Sequence, residues 1–159
     1  MKILIVYASQ YGNTQRIAQA IGGALAAMHE VVVMPSAAAT RLRGDDVDLL
    51  FVGAPTQMRG LRLLAKPFLR DLDQRGFIGT PAAAFDTRMA LGRQTLESAV
   101  IARHLVGSGC RLVIEPESFL VRGLEGPLAA GEEARAATWA RAVVQAARTA
   151  TGATTVSRG

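Results

Sequence analysis

Three short and nearly unbroken apolar runs constrain this chain more than any other feature: Lys2 to Tyr7 (KILIVY), Glu30 to Met34 (EVVVM) and Asp48 to Gly53 (DLLFVG). A strand without polar alternation is covered on both faces, which is the setting of a parallel sheet flanked by helices. Between the first two runs, Ile17, Ile21, Ala24, Leu25 and Met28 recur at helical spacing, so Thr14 to Met28 is predicted as a helix. Gly22-Gly23 weakens that helix. The pair is tolerable where a neighbouring element packs closely against it. Pro35-Ser36 ends the second strand.

The alternation continues to the end of the chain. Leu61 to Leu72 has helical character, with Pro67 setting a late start or a kink. Ala82 to Phe85 is a short fourth strand ahead of Asp86, and Gln94 to Val106 is a helix stopped by Gly107-Ser108-Gly109. Arg111 to Val121 is a fifth strand broken at Pro116. Glu132 to Arg148 is the last helix, with Glu132 and Glu133 at its positive end and Trp139, Val143 and Ala147 on one stripe. Strand alternating with helix implies right-handed crossovers. The expected class is α/β, a doubly wound five-stranded parallel sheet with helices on both faces. Residues 1–150 form one domain, and 151–159 (TGATTVSRG) lack periodicity and are expected to be a loose tail.

Composition excludes several classes. Half of the residues are hydrophobic and 19% charged, a globular balance. No apolar run approaches a membrane span, and Met1-Lys2 leads straight into a strand, so a cytoplasmic protein with no membrane partner is expected. Cys110 is the single cysteine, which rules out an internal disulfide, a CxxC pair and a thiolate zinc site. Beside Leu112-Val113-Ile114 it is expected to behave as a small core residue. The net charge of +5 favours acidic partners, but the arginines scatter from Arg16 to Arg158 without interleaved aromatics, so no nucleic acid is expected. His29, His104, Glu115 and Glu117 lack the companions of a metal site, and no residue is assigned catalytic chemistry.

In an open α/β sheet, ligands bind beyond the carboxyl ends of the strands. Ser9-Gln10-Tyr11-Gly12-Asn13-Thr14 occupies that place after the first strand. The Ser9 and Thr14 hydroxyls and the Asn13 amide can donate, and Gly12 lets the backbone turn its N–H groups inward. The positive end of the following helix adds a partial charge, so the set suits a phosphate monoester without lysine or arginine. A P-loop lacks its GK[ST], a dinucleotide fingerprint lacks its glycines, and a cysteine phosphatase lacks its thiolate here. A receiver domain would need aspartate where Gly53 ends the third strand. The alternative is a plain strand-to-helix turn capped by Asn or Thr. Two more loops share the edge: Ala54 to Gly60 (APTQMRG) and Asp86 to Gly92 (DTRMALG). Each carries small or hydroxyl residues, then a methionine, then a glycine.

These residues resemble the flavodoxin family, whose phosphate loop reads roughly [TS]-x-[TY]-G-N-T; Ser9 to Thr14 matches every specified position. VGAPT (Val52 to Thr56) is similar to the second flavin loop and AFDTR (Ala84 to Arg88) to the third. PESFLV and EGPLAAGE resemble segments of bacterial flavodoxin-like proteins, and a fifth strand without a long insertion resembles the short-chain form. The resemblance implies strand order 2-1-3-4-5 and one noncovalent FMN. It implies that Ser9, Gln10, Tyr11, Gly12, Asn13 and Thr14 hold the phosphate. Pro55, Thr56, Gln57, Met58 and Arg59, with Asp86, Thr87, Arg88 and Met89, would flank the isoalloxazine. The implied work is one-electron transfer with a redox partner protein.

Three departures from the family pattern bear on function. Neither ring loop contains an aromatic residue, so Met58 or Met89 either touches the ring through sulfur or packs at the sheet edge. Arg59, Arg62, Arg88 and Arg93 are either solvated surface groups or a cationic surround that makes the reduced flavin a weaker reductant. A basic face would dock an acidic partner, or an anionic ligand such as NADPH. Asp86 either meets a flavin edge or satisfies local backbone donors. Two other functions stay open: an FMN-dependent NAD(P)H:quinone-type oxidoreductase, and an interaction module that has lost its flavin.

Overall fold

The computed structural model describes residues 1–56, 65–90 and 95–156. The elements run β1 (Lys2–Tyr7), α1 (Asn13–Leu25), β2 (Glu30–Pro35), α2 (Ser36–Ala39), β3 (Leu49–Pro55) and α3 (Lys66–Leu69). They continue with β4 (Pro81–Met89), α4 (Glu97–Gly107), β5 (Arg111–Leu112), β6 (Glu117–Val121) and α5 (Glu132–Val156). The sheet is parallel in the order β2-β1-β3-β4-β5, with β6 joined to β4 beyond the short β5. The expected class and strand order are therefore observed. The predicted fifth strand divides at Pro116 into β5 and β6.

Burial on both faces explains the unbroken apolar runs. Ile3 and Ile5 of β1 point into a core with Ile17, Ile21, Phe51 and Trp139 beneath α1 and α5. Leu4 and Val6 point into a second core with Val52, Phe68, Ile101 and Leu105 beneath α3 and α4. Trp139 meets Phe51, Phe85 and Phe119 edge-on at centroid distances of 5.7, 6.1 and 5.9 Å, a geometry that adds to the hydrophobic gain. The glycine in α1 has the reason its sequence suggested. A Cβ on Gly22 would lie 2.6 Å from Val33 Cγ2, so the helix can approach β2 only with glycine there.

Several boundaries differ from the sequence expectation. β4 does not stop at Phe85; Asp86 to Met89 continue it, because β6 offers a parallel partner from Glu117 to Val121. The described part of the helix predicted over Leu61 to Leu72 is only Lys66–Leu69, with Pro67 in its first turn. Arg75 explains the early end. Its guanidinium donates to the carbonyls of Phe68 and Arg70, as well as Ala39, Thr40 and Leu42, and lies 5.1 Å from the Phe68 ring centroid. Helix α4 begins at Glu97, after an extended Leu96; Gln94, its predicted start, lies outside the described residues. Helix α5 passes Arg148 and runs through the expected tail to Val156, with the Thr149 and Thr151 hydroxyls donating back to Gln145 and Ala147. Among the described residues no helix is long and apolar enough to cross a membrane.

Candidate functional site

The carboxyl ends of β1, β3 and β4 and the turn after β6 converge on one narrow cleft. The loop after β1 is folded around one serine. Ser9 Oγ accepts the N–H groups of Gly12 at 3.1 Å and Gln15 at 3.4 Å. Gly12 sits at φ +89°, where a side chain would be strained, and its carbonyl accepts the Arg16 N–H to start α1. Gly12 is thus the N-cap of the helix, without a side-chain cap bond. The Asn13 and Thr14 N–H groups have no helical carbonyl upstream to accept them. They lie at the positive end of the helix.

Thr14 is buried and its hydroxyl lies 2.7 Å from that of Thr87 on β4, also buried. Two hydroxyls carry two protons, and their mutual bond uses one. The other remains available to a ligand. Asn13 is engaged elsewhere, its Nδ2 donating to the Glu125 carbonyl at 3.1 Å. A Cβ on Gly126 would come 2.6 Å from Asn13 Oδ1, so only glycine lets the turn after β6 close down on the amide. The polar wall of the cleft is Ser9, Gln10, Asn13, Thr14 and Thr87, and the apolar wall is Tyr11, Pro55, Val121 and Leu124.

The other two loops are anchored at their roots by α4. Thr56 donates its N–H to Thr87 O at 2.9 Å, and its hydroxyl accepts the Glu97 N–H at 3.2 Å. Asp86 is fully buried; Oδ2 accepts the Ser98 N–H at 2.9 Å, while Oδ1 has no partner among the described residues. Both side chains satisfy donors of the first turn of α4 that no helical carbonyl reaches.

The model of the flavodoxin domain family matches residues 4–89, which hold the cradle and all but the last turn of the cleft. The chain belongs to the flavodoxin family. Among solved structures, oxidised flavodoxin 2 from Bacillus cereus is similar at 28% identity and a TM-score of 0.72, covering 91% of this chain and 99% of that one. A flavodoxin from the domain Archaea has a TM-score of 0.72 at 19% identity over 93% of this chain and 99% of that one. A flavodoxin, WrbA-like protein from Agrobacterium tumefaciens reaches 0.69 at 19% identity over 93% and 98%. The last two show the shared fold. No curated protein sequence matches significantly.

In this flavodoxin-family chain the structure brings Ser9, Gln10, Tyr11, Asn13, Thr14, Pro55 and Thr87 to the cleft, with Gly12 in the turn behind them, and sets Asp86 apart, facing α4. Asp86 makes the bond to a local backbone donor, the structural one of its two readings. Thr87, expected beside the ring, meets Thr14 of the loop after β1, because β4 runs three residues past Asp86. Asn13 lines the cleft and gives one donor of its amide to Glu125. Met89 is half-buried and packs against the core under α1 and α5, the edge-packing outcome. Arg88 donates to Met89 O at 3.4 Å, and its buried Nε has no partner among the described residues. Gln57, Met58 and Arg59, with Arg62 and Arg93, lie outside the described residues.

Val121 and Leu124 are cleft residues not singled out in the sequence, and Glu125 beside them accepts the Asn13 amide. Their signal was EGPLAAGE, whose Gly126 is the contact with Asn13 and whose Leu128 bridges back to Val121. That turn is fixed from α5. Glu132 Oε2 accepts the Leu120 N–H at 2.6 Å and Arg135 binds both Glu132 oxygens and Glu117. The Arg135 bonds hold the Glu132 carboxyl below its usual range, ahead of the opposing effect of burial. Cys110 lies far from the cleft in the other core, and burial pushes its thiol up to about 11. Among the described residues no group of three potential metal ligands occurs.

Proposed function

We propose that the chain binds one FMN noncovalently in the cytoplasm and carries electrons to and from an acidic protein partner. The single observation that carries this reading is the donor set at the start of α1. Two helical N–H groups without an acceptor among the described residues, and the second proton of the Thr14–Thr87 pair, lie beside a cleft with no cationic side chain in its walls among the described residues. That set fits a phosphate monoester, whose charge a helix terminus and neutral donors can hold. Bound FMN supplies the one-electron chemistry.

The chain's own residues position and bias that group. Ser9 fixes the loop and leaves the Asn13 and Thr14 N–H groups to the phosphate. Thr56 and Asp86, tied to α4, hold the roots of the second and third loops at a constant spacing. Arg88 at the end of β4 and exposed Arg122 after β6 favour negative charge at this edge and an acidic docking face. The visible spectrum of the purified protein tests the reading, with an FMN titration of colourless material. Flavin absorption or saturable binding supports it; a colourless protein that leaves flavin fluorescence unquenched would overturn it. Rapid NADPH oxidation by the loaded protein with a quinone would replace the carrier by an oxidoreductase.

A further inference from the structure

The two outer strands of the sheet are treated very differently. At β6, Leu120 donates its N–H to Glu132 Oε2 at 2.6 Å and accepts the Ala129 N–H at 2.8 Å. The Ser118 carbonyl accepts Arg135 and the Ser118 N–H reaches Glu117 Oε1. Arg122 donates to Pro127 O at 2.9 Å. Every second residue, 118, 120 and 122, turns outward there, and each is satisfied by the chain itself. Such closure removes a template for further pairing.

Strand β2 has no such cover among the described residues. The Glu30 N–H donates inward to Met1 O at 3.1 Å, so Glu30, Val32 and Met34 hydrogen-bond towards β1. The intervening Val31 and Val33 turn their N–H and C=O groups outward, and no described strand pairs with them. The sequence there, EVVVMP, has no charge at its centre and no proline before Pro35. Val32 is 44% exposed and, with Met34, Leu42 and Val47, lines an apolar groove along the strand. Among the described residues, the charges at this groove are Lys2 and Arg43 against Glu30 and Asp46.

We propose that β2 pairs with β2 of a second copy, antiparallel about a twofold axis through Val32. A twofold axis at that residue places Val31 opposite Val33 of the copy, and Val33 opposite its Val31. All four outward groups of each strand then exchange hydrogen bonds in two reciprocal pairs. The two Val32 residues meet at the close, non-hydrogen-bonded position and bury their exposed methyls together. The balanced charges suit a copy of the same surface, in contrast to the basic chain as a whole, which would favour an acidic stranger. The result is one sheet continuous through two copies, with the two ligand clefts outside the junction.

The test uses the full chain and needs no cofactor. Light scattering across a concentration series should show the mass doubling. Val32→Lys sets like charges on the axis and should abolish the dimer, while Ile78→Lys, at a residue 68% exposed on another edge, should leave it intact. Far-UV circular dichroism verifies that both variants are folded. Val32→Cys should give a disulfide-linked dimer under mild oxidation, since paired residues of this kind lie within disulfide range. Met28→Cys, 79% exposed at the end of α1, should not. A wild type that stays monomeric at every concentration refutes the proposal, as does a folded Val32→Lys that dimerises as wild type does.

Discussion

The Thr14–Thr87 hydroxyl pair gives the sharpest prediction, because stability and binding should move in opposite directions across three variants. In Thr87→Val the Thr14 hydroxyl is left buried without its partner, 1% exposed. An unsatisfied buried hydroxyl costs about 1–3 kcal/mol. Taking about 2 kcal/mol, and about 2.1 cal/mol/K of unfolding entropy per residue, Tm should fall by about 6 °C. Thr14→Val should behave alike, orphaning Thr87. The double variant leaves no orphan, so it should lie close to wild type and lose about 4 kcal/mol less than the sum of the singles. Binding should follow the other order. Thr87→Val keeps the Thr14 proton free for the phosphate and should hold FMN at least as well as wild type. The double variant lacks that donor and should bind about tenfold more weakly, or about 1.4 kcal/mol. Denaturation of the four flavin-free proteins measures the cycle, and quenching of flavin fluorescence measures the affinities. Stability losses that add within about 0.5 kcal/mol would show that the hydroxyls do not pair and that the cradle is not built on them.

Three further predictions address charge and burial. Arg88→Gln should lower the reduction potential of bound FMN by tens of millivolts, about 60 mV for each tenfold change in relative affinity for the reduced form; an unchanged redox titration would remove Arg88 as a tuning group. Cys110, with its thiol pushed up to about 11, should be inert to a thiol reagent at pH 7 in the folded chain and react fully once denatured, as measured by release of the reagent's chromophore. Glu132 has a folded carboxyl below its ordinary 4.5, so its contribution is complete above that value and is lost as pH falls through the folded one. Glu132→Gln should therefore be less stable than wild type at pH 7, with the gap closing below about pH 4.5. Urea midpoints measured from pH 7 to pH 3 that run parallel for the two proteins would contradict that role.

The sequence by itself determined the layered sheet, the break at Pro116 and the edge at which the cleft lies. Those follow from local facts: unbroken apolar strands need cover on two faces, helical spacing supplies it, and Gly12 allows the turn after β1. The need for a close neighbour at Gly22 was legible for the same reason, since glycine in a helix marks contact with something. Tertiary structure decided the roles of the individual polar groups. Thr14 meets Thr87 across 73 residues and Asn13 meets Glu125 across 112, and no periodicity encodes such partners. Asp86 looked like the end of a strand until β6 extended the ladder past it and α4 set its first-turn N–H on the carboxylate. The contrast between the two sheet edges is likewise invisible along the chain. EVVVM and ESFLV are both strand-forming, and only the fold sets Glu132 and Arg135 beside one of them and leaves the other open.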